Sequence, residues 1–149
     1  MCSRRASRSR DPEPTSSAHR SYQLLLAVTR RVRVRIGALG VHTFEPGWYV
    51  YTGSARRGLE ARLARHLAPA HARRRHWHID HLLAARGVRV VAVRRSRLPE
   101  CRLRRTLGGD PAVPGFGASD CRAGCPSHLE RLSDRLRAAL PERDWLRVD

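Results

Sequence analysis

A short apolar run that ends at Gly53 and leads into a basic helix constrains this chain more than any other feature of its sequence. Residues 48–54 read as a strand, and the glycine with the following Ser54 marks a turn at its end. The helix predicted over residues 56–67 has leucines four apart, the spacing of a face that packs on a sheet: Leu59, Leu63 and Leu67. Arg62 and His66 lie about 100° around the axis from that face. Tyr51, Arg62 and His66 are therefore expected at one rim of the sheet, a combination suited to phosphate chemistry.

The charge of the chain indicates a polyanionic partner. Thirty basic residues, all of them arginine, stand against thirteen acidic ones and give a formal net charge of +17. A field of this size attracts nucleic acid and holds it in a salt-dependent manner. A GC-rich genome would explain the use of arginine instead of lysine, but it explains the excess of basic over acidic residues less well.

Length and cysteine content narrow the class. A chain of 149 residues suffices for one domain that folds without disulfides, and its four cysteines are unevenly spaced. No apolar run approaches the roughly 18 residues of a membrane span, so a cytoplasmic protein without membrane contact is predicted. Residues 1–20 are rich in arginine, serine and proline and are predicted as a disordered basic arm, unless the true start lies further on.

The remaining patterns predict an α+β domain with a small, mainly antiparallel sheet flanked by helices. Strands are expected at 22–28 and 32–36, paired as a hairpin, and at 48–52 and 88–93. Further helices are expected at 77–86, from Pro99 as the first helical residue, and from Ser127, where Glu130 completes a capping box. Glu100 would share the inward side of the helix that it opens, and 110–126 would be an irregular loop. The predicted boundaries are 1–20 for the arm, 21–129 for the domain, and 130–149 for an amphipathic helix and tail.

The order of these segments resembles the GIY-YIG nuclease superfamily. The resemblance rests on Tyr22 in the first strand, on the run 47–55 and on a glutamate on a later helix. Within the superfamily, the segments 76–80 and 114–121 look like an uncharacterised branch that occurs alone or fused to endonuclease III. The resemblance covers about residues 22–129. It implies a metal-dependent endonuclease in DNA repair or processing, acting on DNA in preference to RNA, with a functional link to a base-excision repair glycosylase.

The resemblance also implies roles for individual residues. Glu100 would hold one Mg²⁺ or Mn²⁺, since hard cations prefer carboxylate oxygen. Tyr22 would position or deprotonate the attacking water, with Arg62 lowering its pKa and binding phosphate oxygens. Tyr51 would orient water or phosphate, and His66 would be an acid, a base or a phosphate donor. The structural alternatives are a core aromatic for Tyr51, a solvated helix face for Arg62 and a helix-dipole partner for Glu100.

Two further groups of residues are candidates for binding. The expected nucleic-acid contacts flank the Gly53 turn, the helix at 77–86 and the late loop: Gly53, Ser54, Arg56, Arg57, Arg65, His78, Asp80, Ser119 and Asp120. For His78 and Asp80, support of the site or phosphate contact is expected, and ordinary surface placement is the alternative. Cys101, Cys121, Cys125 and His128 offer the donors that a structural zinc prefers, and buried free thiols are the alternative state. The rival to the enzyme is a non-catalytic nucleic-acid-binding module on the same fold.

Overall fold

Strand β1 (Ser21–Val28) is the centre of the molecule, and all eight of its residues are buried. The structure is a computed structural model that describes residues 19–148, so nearly all of the predicted basic arm lies outside the described residues. The other strands are β2 (Val32–Arg35), β3 (Val41–Phe44), β4 (Gly47–Ser54), β5 (Val88–Ser96), β6 (Asp110–Pro111), β7 (Leu129–Leu132) and β8 (Leu146–Arg147). The helices are α1 (Leu59–Leu67), α2 (His78–Leu83), α3 (Glu100–Arg105) and α4 (Asp134–Ala139).

Six of the strands form one sheet in the order β6-β7-β4-β1-β5-β8, and every neighbouring pair is antiparallel. Successive residues of β1 point to opposite faces of this sheet, so its apolar sequence fills two cores. Leu24 and Leu26 join the larger core with Leu63 of α1 and Leu82 of α2. Leu25 joins a smaller core on the other face. The predicted α+β class with a mainly antiparallel sheet is confirmed.

The hairpin predicted between residues 22–28 and 32–36 is wrong. The neighbours of β1 are β4 and β5, whereas β2 pairs with β3 in a separate two-stranded sheet. The cause is that β1 is apolar on both faces and fits the centre of a sheet, while Arg33 and Arg35 of β2 are exposed. A single 3₁₀ turn at Gly37–Leu39 joins β2 to β3, a strand that the sequence reasoning missed.

The helix predicted from Ser127 is also wrong. Residues Leu129–Leu132 form β7, which pairs with β4, and Ser127 bonds Leu129 at 3.1 Å instead of starting a helix. Glu130 is buried and pairs with Arg104 at 3.1 Å, so it caps no helix. The helix α4 begins later, where the Ser133 hydroxyl accepts a hydrogen bond from the Leu136 N–H. The segment beyond residue 129 thus supplies β7 and β8 to the main sheet.

The other helices are shorter than predicted. Helix α1 begins after Gly58, whose φ of +67° lies in the left-handed region, and Leu67 at its end is 42% exposed instead of packing on the sheet. Pro99 precedes α3 instead of being its first residue, and Glu100 is half-buried at its start. This position brings the Glu100 carboxylate to the end of the sheet, because β5 ends at Ser96 beside the start of β1.

Candidate functional site

The predicted site residues gather at one end of the main sheet. Strands β1 and β7 begin there, and β4 and β5 end there, so four chain segments enter or leave the sheet at the same place. Tyr22 lies opposite Gly53 in the register of β1 and β4. Strand β4 therefore delivers Tyr51, and the turn after it delivers α1, to the same end as Tyr22.

Gly53 is required by the packing of Tyr22. A Cβ atom at position 53 would lie 2.6 Å from both Cζ and Oη of Tyr22, closer than real Cβ contacts. The absent side chain leaves the space in which the phenol ring crosses β4. The tyrosine, one residue and a glycine that characterise this strand are thus one packing unit with the tyrosine of β1.

Tyr22 and His66 form a buried polar pair. The Tyr22 hydroxyl is 2.7 Å from His66 Nε2, and both side chains are almost fully buried. Burial raises the pKa of Tyr22 above its ordinary value, and the Arg62 guanidinium offsets only part of this rise. Burial lowers the pKa of His66 to about 4. The phenol therefore keeps its proton at neutral pH, against the expected lowering of its pKa, and shares a hydrogen bond with a neutral imidazole, whose Nε2 accepts it in the tautomer protonated at Nδ1.

The ring of Tyr51 packs against both members of this pair. Its ring centroid is 6.2 Å from that of Tyr22 and 6.3 Å from that of His66, and Phe116 packs on it at 6.0 Å. Burial raises the pKa of Tyr51 well above its ordinary value, so it too is a protonated phenol. The expected core-aromatic alternative and the site role coincide here, since Tyr51 packs in the core and borders the site.

Arg62 is held in place from two sides. Its guanidinium donates a hydrogen bond to the Ser54 backbone carbonyl, and its Cζ lies 4.5 Å from the centroid of the Trp77 ring. Arg65 stacks against the same indole at 4.3 Å and pairs with the buried Asp80 at 3.1 Å. These contacts make Arg62 an ordered cation and not a freely solvated side chain.

Glu100 completes the set from the start of α3. Its Oε2 accepts a hydrogen bond from the Ser54 hydroxyl at 3.3 Å, and its Oε1 lies 3.2 Å from His128 Nδ1. The His128 contact has the distance of an ion pair but not the direction of a good hydrogen bond. The Glu100 side chain is 26% exposed, so solvent and ligands reach it.

A cleft of about 190 Å³ joins these groups. Tyr22, Tyr51, Arg62 and Glu100 all line it, and they come from β1, β4, α1 and α3. His66 is not among the lining residues and reaches the cleft through the Tyr22 hydroxyl. The remaining wall consists of Ser54, Trp77, Gly117, Asp120, Cys121 and His128.

The family of the chain follows from a match over most of its length. Residues 21–143 match the model of a family described as a domain of unknown function, DUF123. The chain belongs to the DUF123 family. No curated protein and no solved structure matches it. Among the helices of residues 19–148, none has the length and apolar character that a bilayer crossing requires.

The predicted nucleic-acid contacts of this DUF123 chain fall into two groups. Some are accessible to solvent: Arg56, Arg57, Ser119 and Asp120 are exposed, and Ser54 and Arg65 are half-buried. Of these, Ser54 and Asp120 line the cleft. Gly53, His78 and Asp80 act within the protein instead. Gly53 makes room for Tyr22, His78 Nδ1 accepts a hydrogen bond from the Gly117 N–H at 2.8 Å, and Asp80 is buried.

Asp80 supports the site from below the surface. Its Oδ2 accepts hydrogen bonds from the backbone N–H groups of His76 and Trp77 at 2.9 and 2.8 Å, and it also binds Arg65. It thereby fixes the start of α2 and the indole on which Arg62 rests. Of the two roles expected for Asp80, direct phosphate contact does not fit this buried carboxylate and support of the site does; ordinary surface placement does not fit it either.

Sequence reasoning missed Trp77 and Gly117 as members of the site. Trp77 was assigned only to a helix, although a tryptophan beside an arginine-rich helix is a signal for cation stacking. Gly117 has a φ of +65°, and a Cβ there would lie 3.0 Å from Tyr51 Cε2 and 3.2 Å from His128 Cβ. The late loop therefore closes over Tyr51 only because position 117 has no side chain.

The four candidate zinc ligands meet beside the cleft. The donor atoms of Cys101, Cys121, Cys125 and His128 all lie within 4.8 Å of one another. The Sγ atoms of Cys101 and Cys121 are 3.5 Å apart, and Cys101 Sγ is 3.8 Å from His128 Nε2. Cys125 and His128 are buried, so this group is shielded from solvent on one side.

Proposed function

We propose that this DUF123 domain is a divalent-metal-dependent endonuclease of the GIY-YIG type, which hydrolyses phosphodiester bonds in DNA in preference to RNA. The observation that supports it is the convergence of Tyr22, Tyr51, Arg62 and Glu100 on one cleft. These residues lie far apart in the sequence, and ordinary core packing does not require two phenols, a guanidinium and a carboxylate in a single solvent-accessible hollow. Processing or repair of DNA in the cytoplasm is the expected setting.

The charge of the chain supports a phosphate-bearing substrate. The net charge is +17, and Arg56 and Arg57 are exposed in the turn that precedes α1. Arg62 stands in the cleft itself, and a guanidinium binds two phosphate oxygens in a fork. The surrounding arginines would draw a nucleic acid toward the cleft, and Arg62 would place one phosphate within it.

The cleft also has donors that fit a hard cation. Glu100 Oε2 faces the Ser54 hydroxyl, and Asp120 lies exposed on the same wall. Mg²⁺ and Mn²⁺ are typically held by one or two carboxylates and keep several waters, so this donor set is sufficient. When bound, such an ion would neutralise the scissile phosphate and stabilise the leaving oxygen.

The side chains of the protein would hold the water and move its proton. In the tautomer that carries its proton on Nδ1, His66 Nε2 accepts a hydrogen bond from the Tyr22 hydroxyl, whose oxygen then has lone pairs free to accept a hydrogen bond from a water in the cleft. As the water attacks phosphorus, its proton would pass to the Tyr22 oxygen while the phenolic proton passes to His66 Nε2. Tyr51 would orient the water or the phosphate. This relay does not need a phenolate, which the burial of Tyr22 disfavours.

The test is a cleavage assay with matched variants. Purified full-length protein with Mg²⁺ or Mn²⁺ is incubated with supercoiled plasmid, branched DNA, single-stranded DNA and RNA. We expect strand scission that a chelator abolishes and that Glu100→Ala removes while DNA binding survives. Glu60→Gln is the control, because Glu60 is an exposed carboxylate on α1 outside the cleft. Absence of scission of every substrate with both ions would overturn the proposal.

A non-catalytic nucleic-acid-binding module is the second candidate. It is favoured by the contact between Glu100 Oε1 and His128 Nδ1, because among residues 19–148 Glu100 is the one glutamate that lines the cleft and this contact occupies one of its two oxygens. Both candidates predict binding that weakens steeply with salt, because each phosphate contact releases counterions. Binding without scission in the assay above selects the module. The link to a base-excision repair glycosylase stays a prediction, since it rests on the resemblance alone.

A further inference from the structure

The three cysteines and His128 have the spacing of a tetrahedral metal site. With zinc–sulfur bonds of about 2.3 Å, two thiolates on one tetrahedral ion stand about 3.8 Å apart, and a thiolate and an imidazole nitrogen slightly less. The distances of 3.5 Å between Cys101 and Cys121, and of 3.8 Å from Cys101 to His128 Nε2, match these edges. A sulfur separation of 3.5 Å is far longer than a disulfide bond, which is about 2.0 Å.

The chain brings these donors together from three segments. Cys101 is in the first turn of α3, Cys121 and Cys125 belong to the loop before β7, and His128 immediately precedes that strand. Gly124 turns the loop with a φ of +74°, so that Cys125 comes back toward Cys121. His128 is 1% exposed, and its ring is buried beside the cysteine sulfurs. Cysteines that only filled a core would not require a buried imidazole next to them.

Glu100 occupies the place of a supporting carboxylate. A histidine that binds metal through one ring nitrogen usually donates its other N–H to a carboxylate or carbonyl, which fixes the ring. His128 Nε2 points to the cysteine sulfurs, and its Nδ1 lies 3.2 Å from Glu100 Oε1. The carboxylate, the imidazole and the sulfur cluster therefore follow one another in the order that zinc sites use.

We propose that Cys101, Cys121, Cys125 and His128 bind one structural Zn²⁺, and that Glu100 is the positioning residue that orients His128 through Nδ1. Four protein ligands close the coordination shell, so this zinc does not take part in water activation. It ties α3, the late loop and the start of β7 together. Cys121 and His128 also line the cleft, so the zinc would hold one wall of it. The inference does not depend on nuclease activity.

The first experiment measures metal in the full-length wild-type protein. Protein purified from zinc-supplemented cells should contain about one zinc per chain, and replacement by Co²⁺ should produce the intense thiolate-to-cobalt absorption of a tetrahedral Cys₃His site. With zinc bound, Cys101, Cys121 and Cys125 should react with an alkylating reagent only after chelation. A wild-type protein without bound zinc, without a cobalt spectrum and with all thiols reactive would show free thiols and overturn the site.

Variants then separate the ligands from the positioning residue. Cys121→Ser and Cys125→Ser should lose zinc. Glu100→Ala should weaken zinc binding by about 10- to 100-fold in a competition with a chromophoric chelator, and Glu100→Gln should restore part of this loss because its amide oxygen accepts from Nδ1. Unchanged zinc affinity in Glu100→Ala would overturn the positioning role. If Cys121→Ser or Cys125→Ser fails to fold, the wild-type measurements above still decide the site.

Zinc content and DNA cleavage fail independently. Zinc stoichiometry and the cobalt spectrum are recorded without nucleic acid, so they hold or fail whatever the cleavage assay shows. A Glu100→Gln protein that retains zinc but does not cleave would assign the loss of scission to the cleft. A protein that contains zinc and binds DNA without scission would support the site and the binding module together.

Discussion

Gly53→Ala adds a single methyl group at the tightest point of the site, and its effect can be worked out from the structure. The new Cβ would lie 2.6 Å from Tyr22 Cζ and Oη, whereas carbon contacts are favourable at about 3.5–4.0 Å. The ring would have to retreat by about 1 Å. Tyr22 is only 1% exposed and its hydroxyl is bonded to His66 at 2.7 Å, so the ring cannot move this far without disturbing that hydrogen bond.

The expected loss follows from two opposing contributions. Overpacking of this kind costs about 1–3 kcal/mol. Replacing glycine by alanine within a strand gains about 0.5–1 kcal/mol, because the unfolded chain loses conformational freedom. We therefore expect Gly53→Ala to lower the free energy of unfolding by about 0–2.5 kcal/mol, with a central value of about 1 kcal/mol. The same shift would stretch the Tyr22–His66 hydrogen bond. The cleavage rate should therefore fall even under conditions in which Gly53→Ala is fully folded.

A double-mutant cycle with Tyr22→Leu tests this reasoning. Leucine lacks the Cζ and Oη atoms that the new methyl group meets, so Gly53→Ala should be neutral or slightly stabilising in the Tyr22→Leu background. Urea unfolding of the four proteins, followed by circular dichroism, gives the coupling free energy. Equal losses for Gly53→Ala in both backgrounds would show that the clash with Tyr22 is not the cause, and the packing argument would be refuted.

Three further perturbations probe buried polar groups. Asp80→Ala removes the carboxylate that accepts hydrogen bonds from two backbone N–H groups and from Arg65. Urea unfolding should show a free energy of unfolding lower by about 3 kcal/mol. An unchanged free energy of unfolding would contradict the supporting role of Asp80. His66 is neutral when folded, with a pKa of about 4 against 6.5 when unfolded. The contribution of His66 to the free energy of unfolding is therefore complete above pH 6.5 and is lost as the pH falls toward 4. Over this range the wild type should lose on the order of 3 kcal/mol more stability than His66→Gln. Parallel curves of unfolding free energy against pH for the two proteins would contradict this. Arg104→Met leaves the buried Glu130 unpaired and should cost about 3 kcal/mol in urea unfolding, while Arg104→Met with Glu130→Met should recover most of it.

The sequence predicts the site better than the sheet around it. The strand that ends at Gly53 and the helix with Arg62 and His66 follow from local signals, since alternation, a glycine and leucine spacing act within a few residues. The convergence of Glu100 on this end of the sheet depends on the resemblance, because contacts between distant segments leave no periodic trace. For Asp80, the residue type and its basic surroundings do not predict whether the side chain is buried or exposed. A carboxylate can pair with arginines in either position.

Strand pairing was the weakest part of the prediction. Residues 22–28 and 32–36 are joined by a short linker that suits a hairpin, yet β1 pairs with β4 and β5, and β2, whose Arg33 and Arg35 are exposed, pairs with β3. Ser127 and Glu130 satisfy a capping-box pattern, but Leu129 and Leu132 gain more by packing on opposite faces of the sheet. In both cases tertiary burial outweighs a local preference, which one sequence alone does not reveal.

The two outermost strands of the main sheet are very short, and this affects self-association of the protein at high concentration. In the described part of the chain its outermost strands, β6 and β8, have two residues each; Pro111 has no N–H to offer, and Arg147 is charged. A long open flank would serve as a template for a neighbouring molecule, whereas such stubs give it almost nothing to bind. A second copy should therefore add poorly to β6 or β8, and fibre growth through these two strands should require prior unfolding.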